Sequence, residues 1–439
     1  MNLCLRLRSK AVLHRAWAEV RASGLRSSSE KTKRETDQFD ADWLNELEKI
    51  RNRLKNGTFS FSGEKGVTPP KGKGRTGVRP LVVAPIANRV VRRGILEVLQ
   101  GYGERADNPR RRWGGIPAVR NIMAIPTSVG GIRERGVPHG IALIDQEVRR
   151  GNHWFERSDI KNFFTRIPKS DVNAFIRRAV DDSQFADLFE QALDTNLENQ
   201  EELEERHLYK LFPDPEIGVA QGSALSALAG NIALREFDTK MNDREIVCVR
   251  YIDDFILLGP TEAKVHAAYR SAKKMLNGMG MDVYDLSDGN ARKDGKVDAG
   301  NLYNGTDVLG YRISGSSRQP CAAACRKFLE KLDKVVMDAK REMKAAADES
   351  ASSHLGRYHQ SMVILHKIVW GWSQSFRHTT ARQVFEQLDK EIDKRINTLG
   401  TEAARLIPSG DAATHRRVMG VHLLADTKEY PLPTVSEAL

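Results

Sequence analysis

The sequence has few cysteines and no long hydrophobic run, and each shortage excludes a class of protein. Four cysteines in 439 residues are too few for a disulfide framework. Cys321 and Cys325 form a CxxxC pair, but no second Cys/His pair lies near enough to complete a zinc site, so ordinary thiols in a reducing cytoplasm are expected. No apolar stretch approaches the roughly eighteen residues that a membrane span requires. The sequence therefore predicts a soluble, cytoplasmic protein with no membrane contact and room for two or three domains.

Positive charge is concentrated at the front of the chain. The formal net charge is +11, and residues 1–120 hold 26 Lys and Arg against 12 Asp and Glu, a surplus of 14 that leaves the remainder at −3. A basic segment ahead of a nearly neutral body indicates a polyanionic partner, most simply a nucleic acid. A basic surface that serves only solubility is the alternative.

The periodicity of apolar residues predicts an α+β fold. Residues 1–60 and the chain beyond about residue 320 show helical spacing, whereas the middle alternates short branched runs with helical segments. Polar loops are predicted between them, including DGNARKDGKVDAGN at 288–301.

Two adjacent aspartates interrupt the apolar run VRYIDDFILLG at 249–259. Burying Asp253 and Asp254 in a strand is costly, because charged groups lose their hydration and the two like charges repel. Solvent at a hairpin tip, a basic partner or bound cations would relieve this cost. An Asp-Asp turn between two strands, without any chemistry, is the structural alternative.

A third carboxylate, Asp159, ends the strand-like FERSD and precedes IKNFF. If it reaches the same cleft as Asp253 and Asp254, the three side chains are able to hold two divalent cations about 4 Å apart. Hard oxygen ligands favour Mg²⁺, or Mn²⁺, over zinc. A helix N-cap is the structural alternative for Asp159 alone.

Several segments, in order and with fitting separations, resemble the motifs of reverse transcriptases. They are DIKNFF at 159–164, QGSALSALAGN at 221–231, YIDD at 251–254, VTPPKGKGRTGVRPLVV at 67–83 and DVLGYRIS at 307–314. AWAEVR, LKNGTFSF, GWSQSF and FEQLDKEI resemble the group II intron and retron-like branch, so the likeness covers roughly residues 10–400. Ala227, where the family commonly has proline, and Asn88, where intron-type enzymes usually have aspartate, depart from the pattern.

The resemblance implies a right-hand polymerase. It places N-terminal helices and fingers at 1–150, an antiparallel-sheet palm at 151–315 with a helical, acidic insertion at 171–215, a helical thumb at 316–400 and a tail at 401–439. The implied activity is RNA-directed DNA synthesis from dNTPs by two-metal nucleotidyl transfer. By analogy with stand-alone bacterial members, it also implies a structured non-coding RNA, a homo-oligomer or second protein as partner, and a role in antiviral defence.

In such enzymes the three aspartates hold the metals, so Asp159, Asp253 and Asp254 become the catalytic and metal-binding trio, with the carbonyl of Ile160 as a further ligand. Phe164 falls where an aromatic ring leaves no room for a 2′-hydroxyl and so selects deoxynucleotides. An ordinary core phenylalanine is its structural alternative.

Further positions follow from the same resemblance. Gln221 and Gly222 pass close to the nucleotide, and Arg79 with Lys73 or Lys71 clamps its triphosphate. Lys293 is the candidate for the lysine that protonates pyrophosphate, and Lys296 fits nearly as well. The residues expected along the nucleic acid are Lys71, Arg75, Arg110, Arg111, Arg112 and Trp113, the last three arginines and the tryptophan pairing charge with stacking.

Two other functions remain open from the sequence. One is a template-independent or protein-primed DNA polymerase, with a tyrosine such as Tyr303 or Tyr358 accepting the first nucleotide. The other is a maturase-like RNA-binding protein with a vestigial polymerase site. Intact carboxylates argue against the second, because a protein that only binds RNA has no reason to bury them.

Overall fold

The computed structural model describes residues 2–70, 77–103, 113–242, 245–347, 357–407 and 411–421. The chain divides into two compact units, Met1–Leu302 and Tyr303–Leu439. Within the described residues, no helix is both long and apolar enough to cross a membrane. The four cysteines are free thiols, as the sequence predicts.

The first unit begins with four helices, as predicted for residues 1–60. They are α1 (Leu3–Leu7), α2 (Lys10–Leu25), α3 (Glu30–Ala41) and α4 (Trp43–Lys55). The side chains of Ser9 and Ser29 accept hydrogen bonds from backbone N–H groups in the first turns of α2 and α3 and so cap these helices. The apolar face of α2, which includes Leu13 and Trp17, is buried against α5 (Ile86–Gln100).

A short hairpin precedes α5. Strands β1 (Lys65–Val67) and β2 (Leu81–Val83) pair antiparallel, and chain from the predicted acidic insertion lies along β1. The side-chain amide of Asn199 donates to the carbonyl of Gly66 (3.0 Å) and accepts from its N–H (2.9 Å). Leu203 and Phe212 pack with Val82 in a small apolar cluster. The insertion therefore packs against the hairpin and supports it.

The central sheet of the first unit has the order β4-β5-β3-β6, and all its pairs are antiparallel. Its strands are β3 (Trp154–Asp159), β4 (Val247–Tyr251), β5 (Asp254–Gly259) and β6 (Val297–Asn301). Edge strand β6 lies within the segment predicted to be a polar loop, which was wrong. The residues of β6 have a weak intrinsic preference for a strand. They form one because they pair with β3.

Helices cover one face of this sheet and extend the core. The remaining helices of the unit are α6 (Pro117–Met123), α7 (Val137–Arg149), α8 (Lys169–Ala179), α9 (Ser183–Leu193), α10 (Gln200–Glu205), α11 (Ser226–Ala233), α12 (Arg235–Lys240), α13 (Glu262–Gly278) and α14 (Gly289–Lys293). Phe237 of α12 and Tyr269 of α13 stack around Phe255 of β5. One continuous apolar core thus joins the N-terminal helices to the sheet.

The second unit has its own sheet and its own core. Strands β7 (Thr306–Val308), β8 (Tyr311–Ser314) and β9 (Ser317–Pro320) form an antiparallel meander. The helices are α15 (Ala322–Ala347), α16 (Tyr358–Ser375), α17 (Gln383–Leu406) and α18 (Ala412–Met419). Phe328, Leu332 and Leu399 lie at the centre of the core. Antiparallel sheets combined with segregated helices confirm the predicted α+β class, whereas the predicted limits of fingers, palm and thumb remain predictions.

Candidate active site

Three carboxylates meet at one end of the central sheet. Asp159 is the last residue of β3, Asp254 is the first of β5, and the two are paired directly across the strands. Directly paired residues have Cα atoms about 4.5–5.5 Å apart and project to the same face. Asp253 belongs to the two-residue turn that joins β4 to β5. The hairpin predicted from VRYIDDFILLG therefore forms, and its tip lies beside Asp159.

The hairpin turn is strained. Ile252 has a φ of 61°, in the left-handed region that a β-branched residue rarely adopts. A loop packs directly on the turn, since a Cβ on Gly130 would lie 2.3 Å from the backbone nitrogen of Ile252. Such strain persists only where the surrounding structure fixes it, and it is frequent at functional sites.

Burial makes the charged forms of Asp253 and Asp254 unfavourable. Loss of hydration raises the pKa of Asp253, and it raises the pKa of Asp254 to about 6 despite the nearby Arg157. The Oδ1 atom of Asp254 is buried and has no hydrogen-bond partner among the described residues. An orphaned carboxylate oxygen beside two other carboxylates is a donor set suited to hard divalent cations. The residues therefore fit the Mg²⁺ ions that the sequence suggests.

Asp159 is held differently from the other two. Its carboxylate forms a close ion pair with the ammonium of Lys296, and its backbone N–H donates to the carbonyl of Lys296 (3.0 Å). Lys293, by contrast, lies exposed at the end of α14. Of the two lysines considered from the sequence, Lys296 is the one that contacts the carboxylates. Within the described residues no set of three acidic, His or Cys side chains is arranged to hold a metal as it stands.

A buried arginine supports the turn from the opposite face of the sheet. Arg250 is fully buried, and its guanidinium donates to both carboxylate oxygens of Asp238 (2.7 and 2.5 Å). It also donates to the carbonyl of Ile252 (2.8 Å), the hydroxyl of Ser128 (2.8 Å) and the side-chain oxygen of Asn231 (3.0 Å). Burial alone would lower the pKa of Arg250, but the attraction of Asp238 raises it. The strained turn is thus hydrogen-bonded to Arg250. This guanidinium cannot move without losing the hydrogen bonds to protein groups that replace its hydration.

The hydrogen-bond network of Arg250 was not predicted from the sequence, although the sequence contains one indication of it. Arg250 is a charged residue inside the same apolar run as Asp253 and Asp254. Its burial is therefore costly for the same reason, and it also requires partners. Its partner Asp238 lies in REFDTK, an ordinary amphipathic helix. Nothing in that local pattern marks the residue as buried.

Phe164 and the QG turn, which are among the nucleotide-binding candidates, lie in chain that follows β3 and precedes α11. Phe164 is half-buried in a short 3₁₀ turn, Phe163–Arg166, and its carbonyl accepts from the N–H of Val219 (2.7 Å). Gln221 accepts a backbone hydrogen bond from Val82 of β2 (3.0 Å), and Gly222 next to it has a φ of 113°. The structure therefore connects the QG turn to the hairpin that precedes α5.

Other candidates have less support or lie outside the described residues. The side chain of Arg79 is exposed, and its N–H donates to the carbonyl of Pro69 (2.9 Å). Trp113 is half-buried, donates its indole N–H to Val98 (2.7 Å) and has the guanidinium of Arg6 3.9 Å from its ring centre. This arrangement gives Trp113 a packing role, and its proposed stacking on bases remains a prediction. The candidates outside the described residues are Lys71, Lys73, Arg75, Arg110, Arg111 and Arg112.

Comparison with known proteins agrees with this geometry. Residues 70–285 match the sequence family described as reverse transcriptase (RNA-dependent DNA polymerase). Protein YkfC of Escherichia coli (strain K12) is 23% identical over 273 residues, which are 53% of this chain and 64% of that protein. The putative COX1/OXI3 intron 1 protein of Saccharomyces cerevisiae is 24% identical over 197 residues, 45% of this chain and 20% of that protein. The chain thus spans less than two thirds of either relative.

Solved structures give distant similarities. A partial Cas6-RT-Cas1–Cas2 complex matches with a TM-score of 0.31 and 16% identity, covering 63% of this chain and 43% of that one. A telomerase from Candida albicans, solved with a fragment of telomeric RNA, matches with a TM-score of 0.38 and 11% identity, covering 83% of this chain and 62% of that one. Similarities at these TM-scores carry no argument about function.

The family match spans both β3 and the β4–β5 hairpin, so it includes all three carboxylates. The chain carries a reverse transcriptase domain, and its antiparallel sheet with packed helices agrees with the right-hand polymerase fold predicted from the sequence.

Replacing Asp253 and Asp254 by asparagine should stabilise the protein at pH 7 without divalent cations. The folded-state pKa of Asp254 lies above its usual value of 3.8, so protonation favours the fold. This stabilisation is complete below about pH 4 and is lost as the pH rises through about 6. A shift of about two units corresponds to a difference on the order of 2–3 kcal/mol in the free energy of unfolding. Urea unfolding in chelator at pH 4 and pH 7 measures it, and the advantage of the variant should shrink at pH 4.

Asp285→Asn is the matched control. Asp285 is an exposed carboxylate that a hydrogen bond from Lys273 holds at a pKa of about 2, so its neutralisation should have the opposite sign and destabilise at pH 7. If Asp253→Asn/Asp254→Asn is also less stable than wild type in chelator at pH 7, the carboxylates are not electrostatically costly in the fold.

The Arg250–Asp238 pair should show strong energetic coupling. Arg250→Met or Asp238→Leu alone leaves a buried charge unpaired and should cost about 3–5 kcal/mol. The double variant should cost less than the sum by roughly 2 kcal/mol or more. The same double-mutant cycle on the exposed pair of Lys264 and Glu245 should give under about 1 kcal/mol. Equal coupling in both cycles would show that Arg250 does not organise the hairpin electrostatically.

Proposed function

We propose that this protein is an RNA-directed DNA polymerase that extends a primer with dNTPs, and that Asp159, Asp253 and Asp254 hold two divalent cations, Mg²⁺ or Mn²⁺. The observation that supports this most is the pairing of Asp159 with Asp254 across adjacent strands, with the buried, unpartnered oxygen of Asp254 beside them. The match of residues 70–285 to the reverse transcriptase family supports nucleotidyl transfer as the reaction at these carboxylates.

The cations, when bound, supply the Lewis acidity that activates the primer 3′-oxygen and steadies the departing pyrophosphate. The protein's own residues prepare the site for them. Burial raises the pKa values of Asp253 and Asp254, so an empty site carries an electrostatic cost that cation binding removes. Arg250 and the loop at Gly130 hold the turn between those residues in a single conformation. Pre-organisation of this kind lowers the cost of reaching the reacting geometry.

Lys296 has a role in this proposal beyond its ion pair. Its ammonium neutralises Asp159 while no cation is bound, and it lies beside the ring of Tyr284, with its Nζ 5.9 Å from the ring centre. Release from Asp159 frees a proton donor next to the reacting phosphates. This makes Lys296 a better candidate than Lys293 for the lysine that protonates pyrophosphate.

The nucleotide would bind beside the QG turn, which is joined to the hairpin of β1 and β2 by the hydrogen bond from Val82 to Gln221. Gln221 and Gly222 lie against β2, and a Cβ on Gly222 would lie 3.3 Å from the carbonyl oxygen of Val82, so a side chain at this position would crowd the hairpin. Arg79 belongs to the segment at 67–83 and its side chain is exposed, which suits a residue that clamps a triphosphate. An RNA template and a structured RNA partner belong to this proposal, while a role in antiviral defence rests on the family resemblance alone.

Primer extension on an RNA template tests the proposal. Wild type should incorporate dNTPs with Mg²⁺ and stop in chelator, and Asp253→Asn/Asp254→Asn should lose at least a thousandfold, because transition-state charge is left without its counter-ions. Asp285→Asn should retain activity. Full activity of the double variant would overturn the assignment of the carboxylates. Labelled nucleotide that stays on the denatured protein would favour the protein-primed alternative, with Tyr303→Phe and Tyr358→Phe locating the acceptor.

Phe164→Val should admit ribonucleotides. The ring is proposed to fill the space that a 2′-hydroxyl needs, and discrimination of such a small group is worth about 1–3 kcal/mol, or roughly 10- to 200-fold in kcat/KM. Competition between dNTP and rNTP in single-nucleotide incorporation measures the ratio.

Phe163→Val is the control for packing. Phe163 is buried against Gly230 and belongs to the core, so its truncation should lower stability without changing sugar selection. If the two variants lose stability alike and neither uses rNTPs, Phe164 is an ordinary core residue.

A further inference from the structure

Two lysine ammonium groups lie beside one tyrosine ring just beyond the end of β3. The Nζ of Lys161 is 4.9 Å from the centre of the Tyr284 ring, and the Nζ of Lys296 is 5.9 Å from it. Cations within about 6 Å of an aromatic ring are attracted by its electron-rich face. Neither Lys161 nor Tyr284 was among the residues expected in the site from the sequence, although Lys161 lies within DIKNFF.

The strand register places the ring on the same side as the carboxylates. Ile160 and Val283 form an antiparallel bridge, which sets Tyr284 opposite Asp159. Residues opposite each other in an antiparallel pair project to the same face, so the ring of Tyr284 shares a face with the carboxylate of Asp159. The contact between Lys161 and this ring therefore brings the Lys161 ammonium to the candidate active site.

The backbone of Tyr284 is held by buried groups. Its N–H donates to the hydroxyl of Ser158 (3.1 Å), and its carbonyl accepts from the hydroxyl of Tyr269. Ser158 of β3 is fully buried, and Tyr269 of α13 is buried in the core. The ring is thus presented from a fixed backbone. A lysine side chain is long and flexible, so contact with a fixed ring restricts where its ammonium lies.

The two ammonium groups concentrate positive charge beside the carboxylates. Lys296 is ion-paired with Asp159, whereas half-buried Lys161 has no carboxylate partner among the described residues. Two like charges held near one ring repel each other. An anion that carries several charged oxygens relieves this repulsion by accepting hydrogen bonds from both ammonium groups.

We propose that Lys161 and Lys296 bind the β- and γ-phosphates of the incoming dNTP, which leave as pyrophosphate, and that Tyr284 is a positioning residue that orders both ammonium groups. This inference rests on the proposed function, which places the reacting phosphates beside Asp159. Each ammonium is a compact charge with three donors, which suits phosphate oxygens. The lysines hold the anion by charge and hydrogen bonds, and Tyr284 acts only through them.

The surroundings favour the leaving phosphates over the backbone of a nucleic acid. Lys296 contacts Asp159, which is paired across the strands with Asp254. An anion that reaches Lys296 is therefore next to the carboxylates assigned to the cations, where the triphosphate reacts in nucleotidyl transfer. Backbone phosphates away from the primer end do not react, and the like charges of the carboxylates repel them.

The test compares three constants in full-length variants: the inhibition constant of pyrophosphate in primer extension, the dissociation constant of dNTP and that of the primer–template. A primer that lacks the 3′-hydroxyl lets dNTP binding be measured without chemistry. Lys161→Gln removes one ammonium, Tyr284→Leu removes the ring, and Tyr284→Phe keeps the ring without its hydroxyl. Lys240→Gln is the matched control, because it neutralises an exposed lysine of α12 that lies 3.7 Å from Glu236. Thermal unfolding verifies that each variant is folded.

Lys161→Gln should raise the pyrophosphate and dNTP constants about tenfold or more, because a charge-assisted hydrogen bond to phosphate is lost. Tyr284→Leu should raise both about 3- to 10-fold, the scale of a cation–π contact. Tyr284→Phe and Lys240→Gln should stay within about twofold of wild type, and primer–template affinity should be unchanged in all four. Since Tyr284 acts through the lysines, Tyr284→Leu should have a smaller effect when Lys161→Gln is already present.

Unchanged pyrophosphate and dNTP constants in Lys161→Gln overturn the inference. Weaker primer–template binding in their place does so too, because Lys161 would then contact the nucleic acid. Equal losses in Tyr284→Phe and Tyr284→Leu overturn the positioning role of the ring. If Tyr284→Leu does not fold, Lys161→Gln measured against Lys240→Gln decides the outcome. Wild type that extends no primer refutes the proposed function and this inference with it, whereas active wild type with unchanged variants refutes this inference alone.

Discussion

Arg250 carries its charge in the interior, where only protein groups are available to solvate it. Those groups come from three separate parts of the chain: Asp238 and Asn231 on successive helices, Ser128 on the loop before α7, and the carbonyl of Ile252 in the turn between β4 and β5. A buried ion pair of this kind adds little net stability compared with apolar packing, but breaking it is expensive. Its effect is to allow one arrangement of the hairpin and to penalise the others.

The position of the carboxylates follows from that restriction. Ile252 would relax to a negative φ if the turn were free, and Asp253 would move with it. The carbonyl bonded to Arg250 and the close approach of Gly130 prevent this. Asn231 donates to the carbonyl of Gly130 (3.1 Å), so the loop in front of the turn and the arginine behind it share one hydrogen-bonded support.

The sequence predicts the candidate site better than it predicts what holds the site in place. Asp159, Asp253 and Asp254 are recognisable because strands reveal themselves by local composition and because charges in apolar runs stand out. The partner of Arg250 is not recognisable, since Asp238 lies on a helix whose polar spacing is unremarkable. Strand β6 was missed for the same reason: VDAGN has weak strand preference and forms a strand only through pairing with β3. The contact of Lys296 with Asp159 depends on that pairing, so the sequence alone favoured Lys293, with Lys296 fitting nearly as well.

The hairpin of β1 and β2 is too short to be stable alone, with three residues in each strand. Chain from the insertion occupies the outer side of β1, where Glu64 and Leu197 bridge, and Gln221 occupies the outer side of β2. Both edges of the hairpin are therefore hydrogen-bonded to neighbouring chain. These bonds fix the hairpin to the segment that carries the QG turn. A change that displaces the insertion from β1 is therefore expected to disturb the QG turn as well, because both contact the same hairpin.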